Sequence, residues 1–191
     1  MRGHADDVVR RAVDRYGSVD AIVANAGIGY AGAFRDMPAE RLPALLDVNL
    51  RAPMELAHAA VPGMLDRGRG ALVFVTSIAG LVPVPGESAY AASKAGLESF
   101  AASLRAELAG SGVSVSTVRP GVVRTGFHAA RLQPYSRRVP RPLSAERVAA
   151  DVVAVLETGE AHRTVPRWLE LPARLREGVP GLYDSLARRF G

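Results

Sequence analysis

Apolar residues at helical spacing open the chain. Val8, Val9, Ala12, Val13 and Tyr16 predict an amphipathic helix over 6–16, with Gly17 placed to end it. The run AIVA at 21–24 is too short for a helix and predicts a buried strand, leading into Asn25-Ala26-Gly27 and a glycine-rich loop to residue 34. Pro38 suits the first turn of a second helix, which the pattern carries through Leu45, Leu46, Asn49 and Leu50 to about residue 65. ALVFVT at 71–76 predicts a second buried strand ending at Ser77, followed by a Pro- and Gly-containing loop over 78–86 and a helix over 87–109. A third strand is predicted over 113–118, broken by Pro120-Gly121. The stretch 126–142 holds too much Gly, Pro and Arg for a regular element and reads as a long mobile loop. Ser144 caps a helix running to about residue 157, with Arg147 rather than Glu at its third position. The tail, 163–191, offers a short strand at Thr164-Val165 and two amphipathic helical pieces punctuated by Pro172 and Pro180.

Strands alternating with long helices predict an α/β fold: a parallel sheet with helices on both faces, in a single domain over 1–191. Ligands in such sheets bind at the carboxyl ends of the strands. Asn25, Ser77 and Pro120-Gly121 each stand where a predicted strand ends, so they are expected on one rim of one pocket.

Composition changes this picture little. Apolar content of 48% and charged content of 23% are ordinary for a soluble domain. The net charge of +5 could invite a polyanion, but the arginines are scattered and 6% aromatic content gives bases few stacking platforms, so no nucleic-acid partner is expected. The lack of cysteine excludes disulfides and thiolate chemistry. No run approaches the ~18 apolar residues of a spanning helix, and the charged start is unlike a signal peptide, which makes the cytoplasm the default expectation.

The candidate chemistry lies in SAYAASKAGLES, residues 88–99. Tyr90 and Lys94 are four apart, hence one helical turn apart on one face. Lys94 is the chain's single lysine; every other residue of its Lys+Arg set is arginine. A compact ammonium is therefore wanted here, for which arginine is a poor substitute. A positive charge within ~4–6 Å of a phenol favours the phenolate, so Lys94 is expected to bring Tyr90 down toward the range of a working acid or base. The plainer alternative is a lysine stem covering an aromatic ring on a helix surface.

Set out in order, VANAG (23–27), VNL (48–50), VTSIAG (75–80), YAASK (90–94) and RPGVVRT (119–125) resemble the short-chain dehydrogenase/reductase family over roughly residues 6–158. The resemblance implies a Rossmann-like fold, NAD or NADP as cofactor, and hydride transfer between an alcohol and a ketone or aldehyde. It implies Tyr90 as proton donor and acceptor, and Lys94 as the residue that lowers the phenol pKa and holds the nicotinamide ribose. Ser77 resembles the hydroxyl bonding the reacting carbonyl, or else a turn cap. Asn49 resembles the holder of a relay water; alone it would read as an exposed helix residue. Asn25, Ala26 and Gly27 resemble the segment beside the adenine ribose, with a plain turn as the alternative. Pro120, Gly121 and Val123 resemble the nicotinamide clasp, and Thr125 a side chain reaching the carboxamide or phosphates.

The sequence also departs from the family. Its glycine-rich TGxxxGxG turn is not in the chain, so about 55–65 residues of βαβ units are expected to be missing, through a truncated start rather than real loss. A non-catalytic remnant acting as a binding or oligomerisation module is the alternative function. The long helices over 38–65 and 87–109 resemble a dimer-forming pair, and a homo-oligomer is expected. Arg124, Arg131, Arg137, Arg138 and Arg141 in the substrate-side loop are expected to be solvated, the alternative being an anionic group such as an acyl carrier. The amphipathic tail is expected as a lid or a subunit contact rather than a membrane-surface anchor.

Overall fold

Four parallel strands form one sheet in chain order: β1 (Ala21–Ala24), β2 (Gly70–Val75), β3 (Val113–Pro120) and β4 (His162–Val165). This computed structural model describes residues 4–127, 131, 140–179, 181 and 183. Among the described residues six α-helices connect and cover the strands: α1 (His4–Tyr16), α2 (Arg41–Leu46), α3 (Ala52–Arg67), α4 (Ser88–Glu107), α5 (Ala145–Thr158) and α6 (Glu170–Gly178).

The period of two along each strand sorts the core into two layers. Leu72 and Phe74 of β2, with Val113 and Val115 of β3, face Ala57, Ala60 and Met64 of α3 and Leu97 and Ala101 of α4. Val73, Val118 and Val165 face the other way, against Val148 and Val155 of α5. Both faces of the sheet are therefore covered, as the alternation of elements predicts.

The ends of the elements follow local chemistry. Gly17 closes α1 at φ 83° with its N–H on the Val13 carbonyl. Ser144 caps α5, its hydroxyl accepting from the Arg147 N–H at 3.2 Å.

Four expectations are corrected. The first strand is a strand but not a buried one: only Ala24 is fully covered, Val23 is 41% exposed, and among the described residues only β2 pairs with it. The second helix starts at Arg41 rather than Pro38, because Pro38 accepts the Arg41 N–H in a preceding turn. Its middle, Asp47–Arg51, is a wider π-type turn separating α2 from α3. The third strand runs on through Pro120, which pairs with Val165: a proline lacks only the donor, and the Val165 carbonyl is taken instead by the Gly121 N–H.

Of the tail, α6 carries Pro172 in its first turn, where the missing N–H costs nothing. Most of the second tail piece, including Leu182, Leu186 and Phe190, lies outside the described residues, as do Arg137 and Arg138 and most of the loop over 126–142.

Candidate active site

Parallel strands put all their carboxyl ends on one edge of the sheet. Asn25, Thr76-Ser77 and Gly121 follow β1, β2 and β3 there, and the N-terminal half of α4 presents Tyr90 and Lys94 to the same edge. Tyr90 is 9% exposed and Lys94 4%. The Lys94 Nζ donates to the Val75 carbonyl at 2.9 Å, one residue before Thr76-Ser77, and stands 5.9 Å from the Tyr90 ring centre.

Burial decides the electrostatics. Desolvation pushes the Tyr90 phenol up to about 12. The Ser77 side chain beside the phenol acts the other way; Glu87 pushes up and Arg131 pushes down. Burial likewise lowers the Lys94 ammonium to about 8. This overturns the expectation that the lysine brings the phenol down toward neutrality. Removing a phenolate from water costs more than an ammonium nearly 6 Å from the ring, itself desolvated and turned to Val75, returns.

Asn49 is fully buried rather than exposed. Its amide exchanges two hydrogen bonds with Ile28, accepting from the N–H at 2.9 Å and donating to the carbonyl at 2.9 Å, and donates to Ser93 Oγ at 3.1 Å. Ser93 in turn donates to the Tyr90 carbonyl at 2.7 Å. The wide turn at Asp47–Arg51 faces Asn49 inward, and the Asn49 amide pins the segment after β1 to α4. At Gly27 an added Cβ would lie 3.3 Å from Asn49 Oδ1 and 3.5 Å from Lys94 Nζ, so the bare backbone leaves a niche beside the ammonium.

Ser77 is a turn cap: its oxygen accepts from the Ala79 N–H at 3.1 Å over Ile78–Gly80, and its side chain lies beside the Tyr90 phenol. Gly80 lets that turn press on α4: a Cβ there would lie 2.9 Å from the Lys94 carbonyl carbon.

Other predicted residues are more dispersed. Asn25 and Ala26 are exposed beyond β1. Pro120 is buried, Gly121 packs against Leu169, and Val123 bridges to Leu143. Thr125 accepts from the Phe127 N–H at 3.3 Å. Arg131 is corrected: it is 6% exposed and ion-paired with Glu87, not solvated.

Sequence reasoning missed Ser93, Phe127 and Tyr30. The Phe127 ring lies 5.5 Å from the Tyr90 ring, and Tyr30 is buried in the same apolar cluster. Ser93 sits three after Tyr90 on the motif helix, a spacing that could have flagged it; Tyr30 comes from a loop and Phe127 from a helical turn whose carbonyl takes the Arg131 N–H, neither with a periodic signal in the sequence. Among the described residues no His, Asp and Glu cluster could hold a metal, and no helix is long and apolar enough to cross a membrane.

A family model described as short chain dehydrogenase matches residues 2–135. The chain belongs to that family. It is 35% identical over 182 residues to an uncharacterized oxidoreductase of Myxococcus xanthus, covering 94% of this chain and 70% of that protein. It is 40% identical over 121 residues to the ketoacyl reductase HetN of Nostoc sp., covering 63% of this chain but only 42% of that relative's length. Among solved structures, a short-chain dehydrogenase from Sphingobium yanoikuyae in complex with NADPH superposes with a TM-score of 0.77 at 26% identity, over 91% of this chain and 69% of that one.

Proposed function

We propose that the chain carries the catalytic half of an NAD(P)-dependent oxidoreductase that interconverts a ketone or aldehyde and an alcohol. The observation that carries this reading is the meeting of Tyr90, Ser77, Lys94 and Asn49, from three separate elements, at one edge of the sheet. Support for the cofactor comes from the niche at Gly27 beside the Lys94 ammonium, which suits the hydroxyls of a nicotinamide ribose, and from the NADPH bound by the Sphingobium relative. Lys94, Tyr90 and the Gly27 backbone would hold that end, with Pro120, Gly121 and Val123 bordering it and Thr125 farther out. Asn25 and Ala26 would border the adenosine side. The chain contains no TGxxxGxG, so no residue here is assigned to the pyrophosphate.

The bound nicotinamide would supply the redox chemistry. What the chain's own residues supply is a proton and two aimed donors. With its phenol pushed up to about 12, Tyr90 is neutral at physiological pH and holds its proton until negative charge develops on a substrate oxygen. The Ser77 hydroxyl donates to the same oxygen, and each such donor is commonly worth ~3–4 kcal/mol of barrier. Lys94 places positive charge behind the phenol, and Asn49 fixes the backbone over which the proton is replaced. Phe127, Tyr30 and Ala89 give the Tyr90 cluster an apolar and aromatic side, beside the Glu87–Arg131 pair, and that side suits an apolar substrate body.

Titration of NADPH or NADH fluorescence with the protein tests the reading. A saturable change is expected; no change sinks it and leaves the binding or oligomerisation module. In an active preparation Tyr90→Phe should cut turnover by ~10²–10⁴-fold with cofactor affinity nearly unchanged, and retained turnover would remove Tyr90 from this role. A homo-oligomer packed through 38–65 and 87–109 is part of the same proposal, readable by light scattering.

A further inference from the structure

Behind the rim, a single carboxylate gathers three elements. Glu98 lies on α4 four residues beyond Lys94 and eight beyond Tyr90, so all three share one side of the helix. Its side chain is 10% exposed and turns to the face of the sheet that α4 covers. There it accepts from the Thr76 hydroxyl and, at 3.3 Å, from the Thr117 hydroxyl. It also accepts from Arg119 twice, through Nε at 3.0 Å and Nη2 at 2.7 Å.

The partners stand at telling places. Thr76 immediately precedes Ser77, and Arg119 immediately precedes Pro120-Gly121. Thr76 is further locked to β3, its N–H donating to the Val118 carbonyl at 2.8 Å. Arg105, farther along α4, binds the Val115 carbonyl at 2.6 Å and the Ala161 carbonyl at 2.7 Å, so the same helix also grips β3 and the approach to β4.

Stability alone does not account for such a cluster. A largely buried ion pair loses much of its Coulombic gain to desolvation, and apolar side chains of like volume would hold the layers as well. What a bidentate carboxylate–guanidinium pair supplies, and apolar packing does not, is a fixed direction and distance. A hydrogen-bonding site needs that, since a misplacement of ~0.5 Å already loosens it.

We propose that Glu98 is a positioning residue of the active site. It sets the Ser77 hydroxyl, through Thr76, and the Pro120-Gly121 end of β3, through Arg119, against the Tyr90 phenol carried by its own helix. This rests on the roles proposed above for Ser77 and Tyr90. Thr76 and Arg119 are its two arms, one for each strand end.

Carbon-13 tyrosine and nitrogen-15 amide resonances of the protein test it without cofactor or substrate. The Tyr90 Cζ signal, assigned with Tyr90→Phe, reads hydrogen bonding at the phenol oxygen, and Ser77→Ala gives its reference shift. Glu98→Gln is expected to move Tyr90 Cζ in the direction of Ser77→Ala and to move the Gly121 amide as well. Thr76→Val is expected to move Tyr90 Cζ and leave Gly121; Arg119→Lys is expected to move Gly121 and leave Tyr90 Cζ. A folded Glu98→Gln protein with both signals in place overturns the proposal, even if its melting temperature falls. If Glu98→Gln does not fold, the two arm variants decide: absent or unselective shifts overturn it. Failure of the dehydrogenase reading would show separately, as unchanged nicotinamide fluorescence with the wild-type protein.

Discussion

At Tyr90 and Lys94, four residues of spacing convey which groups meet but not what protonation they hold. Burial raises the phenol to about 12 and lowers the ammonium to about 8, so the pair has opposite signatures in stability against pH. Lys94 binds fewer protons folded than unfolded between about 8 and the ordinary lysine value of 10.5. Stability should therefore rise with pH across that window and be lost as pH falls through about 8. Tyr90, raised, contributes below the ordinary tyrosine value of 10.0 and loses that contribution as pH climbs to about 12. Urea unfolding from pH 7 to 10 should show the Lys94 rise, and Lys94→Met should flatten it. A wild-type profile with no rise would remove the desolvated ammonium.

Between elements, contacts too close for a side chain matter as much as named groups. The turn after β2 carries Ser77 and lies on α4 only because Gly80 has no Cβ. One there would stand 2.9 Å from the Lys94 carbonyl carbon and 3.0 Å from the Ala95 nitrogen, both backbone atoms unable to swing aside. Gly80→Ala should cost ~1–3 kcal/mol, the range for overpacking a close contact, and should weaken the Ser77–Tyr90 pairing. Denaturant unfolding checks the first, and the Tyr90 Cζ resonance the second. Asn49 makes the complementary point. An ideal helix over 38–65 would leave its direction undetermined, whereas the wide turn at Asp47–Arg51 faces it toward Ile28 and Ser93.

For the molecule as a whole, helices cover both faces of the sheet over β2 and β3, while β1 is left partly uncovered. Val23, in the middle of that strand, is 41% exposed beside backbone that among the described residues pairs only with β2. An exposed apolar edge favours self-association, and a lysine there discourages it. Val23→Lys should therefore lower concentration-dependent aggregation of this chain, followed by light scattering, while changing unfolding free energy by no more than ~0.5 kcal/mol.

The order of strands and helices, the parallel sheet and the placing of Tyr90, Lys94 and Ser77 at one edge of it were legible because they rest on local patterns. Apolar period, caps and motif spacing are properties of neighbouring residues, and a βαβ order leaves few ways to arrange a sheet. What depended on distance through space was not. The inward Asn49, the Glu87–Arg131 pair and the carboxylate of Glu98 bridging α4 to Thr76 and Arg119 join residues more than 20 apart in the chain. The same holds for the pKa values. Which charges lie nearest is partly written in sequence, but how much water is withdrawn from them is decided only when the layers close, and here desolvation outweighs the neighbouring charge.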